Sequence, residues 1–133
     1  MSLYFFLRPV LGGALLLFAG GSATAQRPET VTALRSVERG QWQLKDATGR
    51  IRKLCLTRAD VLLQIEHGAA KCDHHVVENT ARVATIRYNC PGRGNGRTTI
   101  NVESGKLFSL DTQGVADGSP FSEQYEGRLL GAC

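Results

Sequence analysis

Four cysteines constrain the fold of this chain more than any other feature of its sequence, and two of them bound a single segment. Residues 72–90 read CDHHVVENTARVATIRYNC, with two runs rich in β-branched residues on either side of a polar stretch. Such runs are typical of strands, and a polar stretch between them is typical of a turn. We therefore predict an antiparallel hairpin that turns through residues 78–82 and is closed by a disulfide between Cys72 and Cys90.

The predicted hairpin has a definite register. If the two cysteines lie directly opposite each other, three more pairs follow: His74 with Tyr88, Val76 with Ile86, and Glu78 with Ala84. Side chains alternate between the two faces of a strand, so these pairs share one face with the disulfide. The other face carries the wetter set, which is Asp73, His75 and Val77 against Asn89, Arg87 and Thr85. Ile86 and Tyr88 are therefore candidates for the core.

The first 25 residues have the pattern of a secretory signal peptide. Arg8 precedes an apolar run over residues 10–19, and Ala23 and Ala25 form an A-x-A cleavage site. The apolar run is too short for a bilayer, which needs about 20 residues. We predict cleavage after Ala25, export to the periplasm, and one domain over residues 26–133.

An even number of cysteines in an exported chain indicates disulfides. Four cysteines allow three pairings, and the sequence alone does not choose among them. We favour Cys72 with Cys90, which fits the hairpin, and Cys55 with Cys133, which would hold the C-terminus in place. Loop-closure entropy predicts about 3 kcal/mol from the shorter loop and about 4.5 kcal/mol from the longer one.

Two segments have helical patterns. Val31, Leu34 and Val37 recur at helical spacing before Gly40, which indicates a short helix or else a linker. A clearer helix is predicted over residues 58–67. Its start signal is Thr57 followed by Asp60, Leu62 and Ile65 form its apolar stripe, and Gly68 is its stop.

The remaining segments read as strands. Residues 41–47 and 50–56 flank Thr48 and Gly49 as a first hairpin, with Trp42 and Leu44 facing inward. A glycine-rich loop over residues 91–96, a turn at Ser104 and Gly105, and a polar connection at 113–120 separate three further strands, at 98–103, 107–112 and 121–130. The predicted fold is mainly β: an antiparallel meander of about six strands with one or two short helices and two disulfides.

Three histidines are candidates for a metal site, because imidazole is a common zinc and copper ligand. They are His67, His74 and His75. Adjacent residues of a strand point to opposite faces, so His74 and His75 cannot both join one site in the hairpin. A cysteine in a disulfide is also no longer a thiolate ligand.

The glycine-rich loop is a candidate anion site, because it could present backbone N–H groups together with Arg93 and Arg97. The loop lacks the Gly-Lys-Ser/Thr of a phosphate-binding Walker loop. No serine sits in a G-x-S-x-G elbow either. The formal net charge is +4 with arginines spread along the chain, and only 7% of residues are aromatic. These features do not favour nucleic-acid binding, which needs a concentrated basic face with aromatic platforms.

Several motifs together resemble the DUF3617 family of small secreted bacterial proteins of unknown function. They are GQW, CLT, Cys72, TIRYNCPG, GRTTI, DTQGVADGSPF and the closing EGRLLGAC, within residues 37–133. The resemblance implies a periplasmic, β-rich, disulfide-bonded protein. It implies no activity, substrate or cofactor.

We therefore predict a periplasmic binding or envelope-associated module that is not an enzyme, has no cofactor and does not span a membrane. Its partner would be an apolar ligand or an envelope protein. The candidate ligand-binding residues are the aromatic side chains Trp42, Tyr88, Phe108, Phe121 and Tyr125. The alternative is a metal-handling protein that uses the three histidines.

Overall fold

A computed structural model describes residues 30–133 as a seven-stranded antiparallel sheet with two 3-10 helices. The 3-10 helices span Ala33–Ser36 and Ala59–Gln64. The strands are β1 (Gly40–Asp46), β2 (Ile51–Leu56), β3 (Asp73–Asn79), β4 (Val83–Cys90), β5 (Gly94–Ser104), β6 (Leu107–Ala116) and β7 (Ser119–Gly131). The predicted mainly β meander is confirmed, with seven strands instead of about six. The predicted signal peptide, residues 1–25, lies outside the described residues.

The strand order is β2-β1-β7-β6-β5-β4-β3. Strands β3 to β7 form a meander, and the β1–β2 hairpin adds to it by pairing β1 with β7. The first and last strands of the sheet, β2 and β3, are consecutive in sequence. The segment that joins them, residues 57–72, must therefore cross the whole sheet; we call it the crossover segment.

The crossover segment covers one face of the sheet, the core face. Side chains alternate between faces, and those on the core face are apolar and buried. The largest are Trp42, Leu44, Leu56, Ile86, Ile100, Phe108 and Leu110, together with Leu62 from the crossover segment. The opposite face, the outer face, carries mainly polar and exposed side chains on β4 to β7. The inward positions of Trp42 and Leu44 and the first hairpin are confirmed.

The central hairpin has the predicted register over most of its length. His74 pairs with Tyr88 and Val76 with Ile86. A bulge then shifts the register, so Glu78 pairs with Thr85 and not with Ala84. A bulge places two residues opposite one, which moves every later pair by one position. Thr85 is also buried, contrary to its predicted wet position, and its hydroxyl is satisfied by a 2.9 Å hydrogen bond with that of Thr99 on the neighbouring strand.

The predicted α-helix over residues 58–67 is a shorter 3-10 helix. Its N-cap is Arg58 without a side-chain cap, and Asp60 pairs with Arg58 instead of joining a capping box with Thr57. A 3-10 helix rises about 2.0 Å per residue against about 1.5 Å for an α-helix, so each of its residues covers more of the distance across the sheet. Turns follow over residues 65–69, and Gly68 within them has a φ of 55°, as expected for a helix stop.

Residues 31–37 contain the other 3-10 helix, and Val31, Leu34 and Val37 are all buried. Gly40 does not stop this helix but begins β1.

The chain between β4 and β7 is more regular than predicted. The glycine-rich loop is limited to residues 91–93, since β5 begins at Gly94. The predicted connection at 113–120 is a tight turn between long strands. Asp117 and Gly118 both have positive φ, 49° and 83°, which matches a two-residue hairpin turn whose twist suits antiparallel strands.

Both favoured disulfides are confirmed. Cys72–Cys90 joins β3 to β4, and Cys55–Cys133 joins β2 to the C-terminus. They close loops with sequence separations of 18 and 78 residues. The second links the end of the chain to an edge strand that contacts the rest of the sheet only through β1.

Candidate functional site

A row of four residues crosses the sheet near one end of the meander. Tyr88, Gly96, Gly114 and Phe121 lie side by side on β4, β5, β6 and β7. The two central positions have no side chain, and the neighbouring atoms leave no space for one. A Cβ at Gly96 would lie 2.5 Å from the Tyr88 ring, and one at Gly114 would lie 2.1 Å from the carbonyl oxygen of Asn95. The row therefore places two aromatic rings on either side of a glycine pair.

On the core face, His67 of the crossover segment packs against both aromatic rings of this row. Its ring centroid lies 5.2 Å from that of Tyr88 and 5.8 Å from that of Phe121, both edge-on. Its Nε2 lies 3.1 Å from the carbonyl oxygen of Val115, and its Nδ1 lies 3.1 Å from the Tyr88 hydroxyl. A carbonyl oxygen only accepts, so Nε2 carries the proton and the Tyr88 hydroxyl donates to Nδ1. His67 thus anchors the crossover segment to the sheet.

Tyr88 is part of a polar network inside the core. Burial raises the pKa of Tyr88, and a hydrogen bond with Thr112 partly opposes that rise. The Thr112 hydroxyl also bonds that of Thr98 at 2.9 Å. Tyr88 therefore stays neutral, and its hydroxyl serves to hold neighbouring parts of the core together by hydrogen bonds.

On the outer face, the same glycine pair forms the floor of an open groove of about 560 Å³. We call it the outer groove. Arg87, Arg97, Gln113 and Ser122 line it on one side of the glycines, and Asn95 and Val115 on the other. Tyr88 and Phe121 border the two ends of the glycine floor. Volumes of roughly 300–1,000 Å³ are typical of small-molecule sites.

Arg87 and Arg97 lie directly opposite each other on β4 and β5. Neither forms an ion pair with the described residues, whereas five other arginines do, namely Arg50, Arg52, Arg58, Arg93 and Arg128. The strand register over residues 40–131 contains no second pair of like charges placed directly opposite. The row continues with His75 beside Arg87 and with Gln113 and Ser122 beyond Arg97.

The predicted anion site is not assembled as expected. Arg93 binds Asp117 through two hydrogen bonds of 2.7 and 3.2 Å, which tie the β4–β5 turn to the β6–β7 turn. The guanidinium of Arg93 lowers the pKa of Asp117. Arg97 lies in a strand next to Arg87, a neighbour that sequence reasoning missed. A three-residue turn at 91–93 would have revealed it, because extending the pairing of Cys90 with Gly94 places Arg87 opposite Arg97.

The predicted ligand-binding aromatic residues do not form an open apolar face. Trp42 and Phe108 are 0% and 1% exposed and pack with ring centroids 4.8 Å apart. Trp42 Nε1 also donates to the carbonyl oxygen of Glu38. Tyr88 is buried as well, and Phe121 and Tyr125 are half-buried. Of the five predicted residues, Tyr88 and Phe121 border the outer groove. The crossover segment covers this side, so the exposed face of the central strands is the polar one.

Tyr125 belongs to a second contact between the crossover segment and the sheet. Its hydroxyl donates to Glu66 at 2.9 Å, and the Arg52 guanidinium lies 5.4 Å from its ring centroid. Burial, together with the Glu66 carboxylate, raises the pKa of Tyr125 to about 12. The Tyr125 hydroxyl therefore stays protonated near neutral pH and acts as a hydrogen-bond donor.

The three histidines do not converge. His67 and His74 flank Tyr88 on the core face, with ring centroids 5.2 and 6.1 Å from that of Tyr88. His75 lies on the outer face opposite Arg87. Residues 30–133 contain no group of three or more histidine, cysteine or acidic side chains placed to hold a metal ion. The ligand set of the metal-handling alternative is thus not brought together.

Within residues 30–133, no helix has the length and apolar character needed to cross a membrane. Comparisons of the chain with protein-family models, with curated proteins and with solved structures find no match.

Proposed function

We propose that this protein is an extracytoplasmic binding module, not an enzyme, and that it holds a polar ligand in the outer groove. One observation carries the proposal. The groove brings two unpaired arginines, two side-chain amides and a hydroxyl around a floor of two glycines. A floor without side chains lets a ligand approach the backbone closely, and the surrounding donors can orient it.

The composition of the groove favours binding over catalysis. Among the described residues that line it there is no carboxylate, imidazole or thiol. Arginine keeps its proton at any physiological pH, so it supplies charge and hydrogen bonds but no general acid or base. The groups present are therefore suited to recognition.

The two disulfides indicate an oxidising compartment outside the cytoplasm. Within that compartment we propose the periplasm, reached by cleavage after Ala25, and an association with the cell envelope. We also propose membership of the DUF3617 family, on the motifs quoted above.

Ligand mapping by ¹⁵N–¹H NMR tests the binding proposal. The exported, disulfide-bonded protein is titrated with a fragment set that contains acidic, neutral and basic polar compounds. We expect the largest amide shifts at Gly96 and Gly114, with smaller ones at Ser122. Fragments that shift none of these amides, or that shift them no more than the rest of the outer face, would refute the proposal.

A matched pair of variants sharpens this test. Gln113→Leu removes an amide that lines the groove, and Gln124→Leu makes the same change elsewhere on the outer face. A hydrogen bond contributes about 0.5–1.5 kcal/mol, so the first variant should bind a groove fragment about threefold to tenfold more weakly. The second should bind it as the unmodified protein does.

An intact mass measurement tests the compartment. We expect the exported protein to have the mass of residues 26–133 less the four hydrogens lost in two disulfides, and to resist alkylation before reduction. A retained N-terminal segment or free thiols would contradict this part of the proposal.

A further inference from the structure

We propose that the ligand of the outer groove is a phosphate monoester, whose phosphate lies between the guanidinium groups of Arg87 and Arg97. This inference rests on the proposed function and specifies the chemical class of the ligand. It follows from the charge, the geometry and the surroundings of the arginine pair.

The charge of Arg87 and Arg97 favours an anionic ligand. Side chains directly opposite on antiparallel strands have their Cβ atoms about 4.5–5.5 Å apart, and like charges at such positions repel. Arg87 and Arg97 form no ion pair with a carboxylate among the described residues, and the other side chains that line the outer groove are neutral. Asp111 and Glu123 border a neighbouring groove that Arg97 also lines, without forming an ion pair with it. Arrangements that reduce the stability of the fold, such as opposed like charges, tend to occur where function requires them. An anion between the two guanidinium groups would replace repulsion with attraction.

The number of charges and oxygens favours phosphate over carboxylate. A phosphate monoester carries about −1.5 to −2 charges at pH 7 and offers three oxygens. It can therefore neutralise both arginines and accept hydrogen bonds from both guanidinium forks. A carboxylate has one charge and two oxygens, so one arginine would satisfy it and the second would remain unpaired.

The groove also accommodates the group that the phosphate is attached to. Asn95 and Val115 lie across the glycine floor from the arginines, and Ser122 lies in the same row as the arginines, beyond Gln113. Amide and hydroxyl groups suit an ester with hydroxyls of its own, and Val115, 36% exposed, offers a small apolar contact. The phosphate could belong to a soluble ester or to a lipid headgroup, since both present the same chemistry.

Phenyl phosphate is a suitable probe, with benzoate and benzyl alcohol as controls of lower charge. We titrate each into the disulfide-bonded protein and follow the amides of Gly96 and Gly114 by NMR. We expect phenyl phosphate to bind at least tenfold more tightly than benzoate. Arg87→Gln and Arg97→Gln should each weaken its binding at least tenfold. Arg82→Gln, which removes an exposed arginine without an ion pair from the residue before β4, should leave it unchanged.

Equal affinities for phenyl phosphate and benzoate, or full binding by Arg97→Gln, would overturn the inference. If neutral fragments still bind the groove in that case, the proposed function stands without it. If no compound shifts the groove amides, both fail.

Vesicles separate the two sources of phosphate. Phosphatidic acid presents a phosphate monoester, phosphatidylglycerol a singly charged diester, and phosphatidylcholine no net charge. Co-sedimentation with phosphatidic acid alone, lost in Arg97→Gln, would support a lipid ligand. Binding of phenyl phosphate without co-sedimentation would support a soluble ester. Equal co-sedimentation with phosphatidylglycerol would reveal general attraction to charge and would contradict the proposal.

Discussion

The hydroxyl of Tyr88 donates a hydrogen bond to Nδ1 of His67, and this 3.1 Å contact holds the crossover segment to the centre of the sheet. Both residues are buried, at 4% and 5% exposure, so neither can exchange its partner for bulk water. His67 also donates to the carbonyl oxygen of Val115. The contact thus joins three parts of the chain that are distant in sequence.

Removing the Tyr88 hydroxyl should destabilise the protein. Tyr88→Phe leaves Nδ1 of His67 buried without a donor, which costs about 1–3 kcal/mol. Tyr125→Phe is the matched control. It removes the hydroxyl that donates to Glu66. The Glu66 side chain is 20% exposed and can be hydrated instead, so we expect the free energy of unfolding to fall by only about 0.5–1 kcal/mol. Urea unfolding of both variants measures the difference. Equal losses in the free energy of unfolding would argue against a special role for the Tyr88–His67 hydrogen bond.

Acid should weaken the first hairpin through Asp46. Hydrogen bonds from Thr48 and Arg50 lower the pKa of Asp46 from 3.8 to about 2. A lowered pKa in the folded state favours the carboxylate, so this stabilisation is complete above about pH 4 and is lost as the pH falls towards about 2.

Urea unfolding across this pH range, with and without Asp46→Asn, measures the effect. The variant should lose the part of the pH dependence between about pH 4 and 2 that Asp46 contributes, while Asp117 and Glu126, whose pKa values are also lowered, keep their own contribution. Asp73→Asn, which removes an exposed carboxylate at the start of β3, is the control and should retain the pH dependence of the unmodified protein. An unchanged pH dependence in Asp46→Asn would contradict the assignment.

The two disulfides should contribute unequally. Replacing Cys55 and Cys133 together by serine opens the longer loop and should lower the free energy of unfolding by about 4.5 kcal/mol. Replacing Cys72 and Cys90 opens the shorter loop and should lower it by about 3 kcal/mol. Chemical denaturation of the two double variants tests the order, and a reversed order would show that local packing outweighs loop entropy.

Gly96 should tolerate no side chain while Tyr88 is present. Gly96→Ala places a Cβ against the tyrosine ring, and we expect a loss of about 1–3 kcal/mol. In a Tyr88→Ala background the same change should cost much less, because the ring is gone. A double-mutant cycle would then give a coupling of about 0.5–3 kcal/mol. If the losses of the two single variants simply add, the strain caused by Gly96→Ala does not come from the Tyr88 ring.

The arginine pair should reduce stability in the absence of ligand. Arg97→Gln removes a directly opposed like charge, so we expect an increase of about 0.2–1 kcal/mol in the free energy of unfolding at low salt. Arg128→Gln is the control. It breaks the exposed ion pair with Glu126 and should lower stability by about 0–1 kcal/mol. Thermal unfolding at low and high salt compares them, and a loss of stability in Arg97→Gln would argue against repulsion.

Local patterns in the sequence were sufficient to predict the strands, the main turns and the disulfide of the central hairpin. Alternation of apolar and polar residues predicts a strand wherever one face is buried, and it placed Trp42, Leu44, Ile86 and Tyr88 in the core correctly. It could not predict the bulge before Glu78, because a bulge changes the pairing without changing the composition of either strand.

The candidate site depended on the tertiary structure. Arg87 and Arg97 are ten positions apart, and only the short turn at 91–93 places them opposite each other. The neighbouring rows from β6 and β7 complete the outer groove, and the crossover segment covers the other face and brings His67 against Tyr88. Sequence alone thus predicted the antiparallel strands and the approximate place of each, and it favoured the two disulfides that form, since these depend on local patterns and on the position of the chain end. The packing of the sheet decided which polar side chains meet, because that depends on the register between strands and on which face the crossing chain covers.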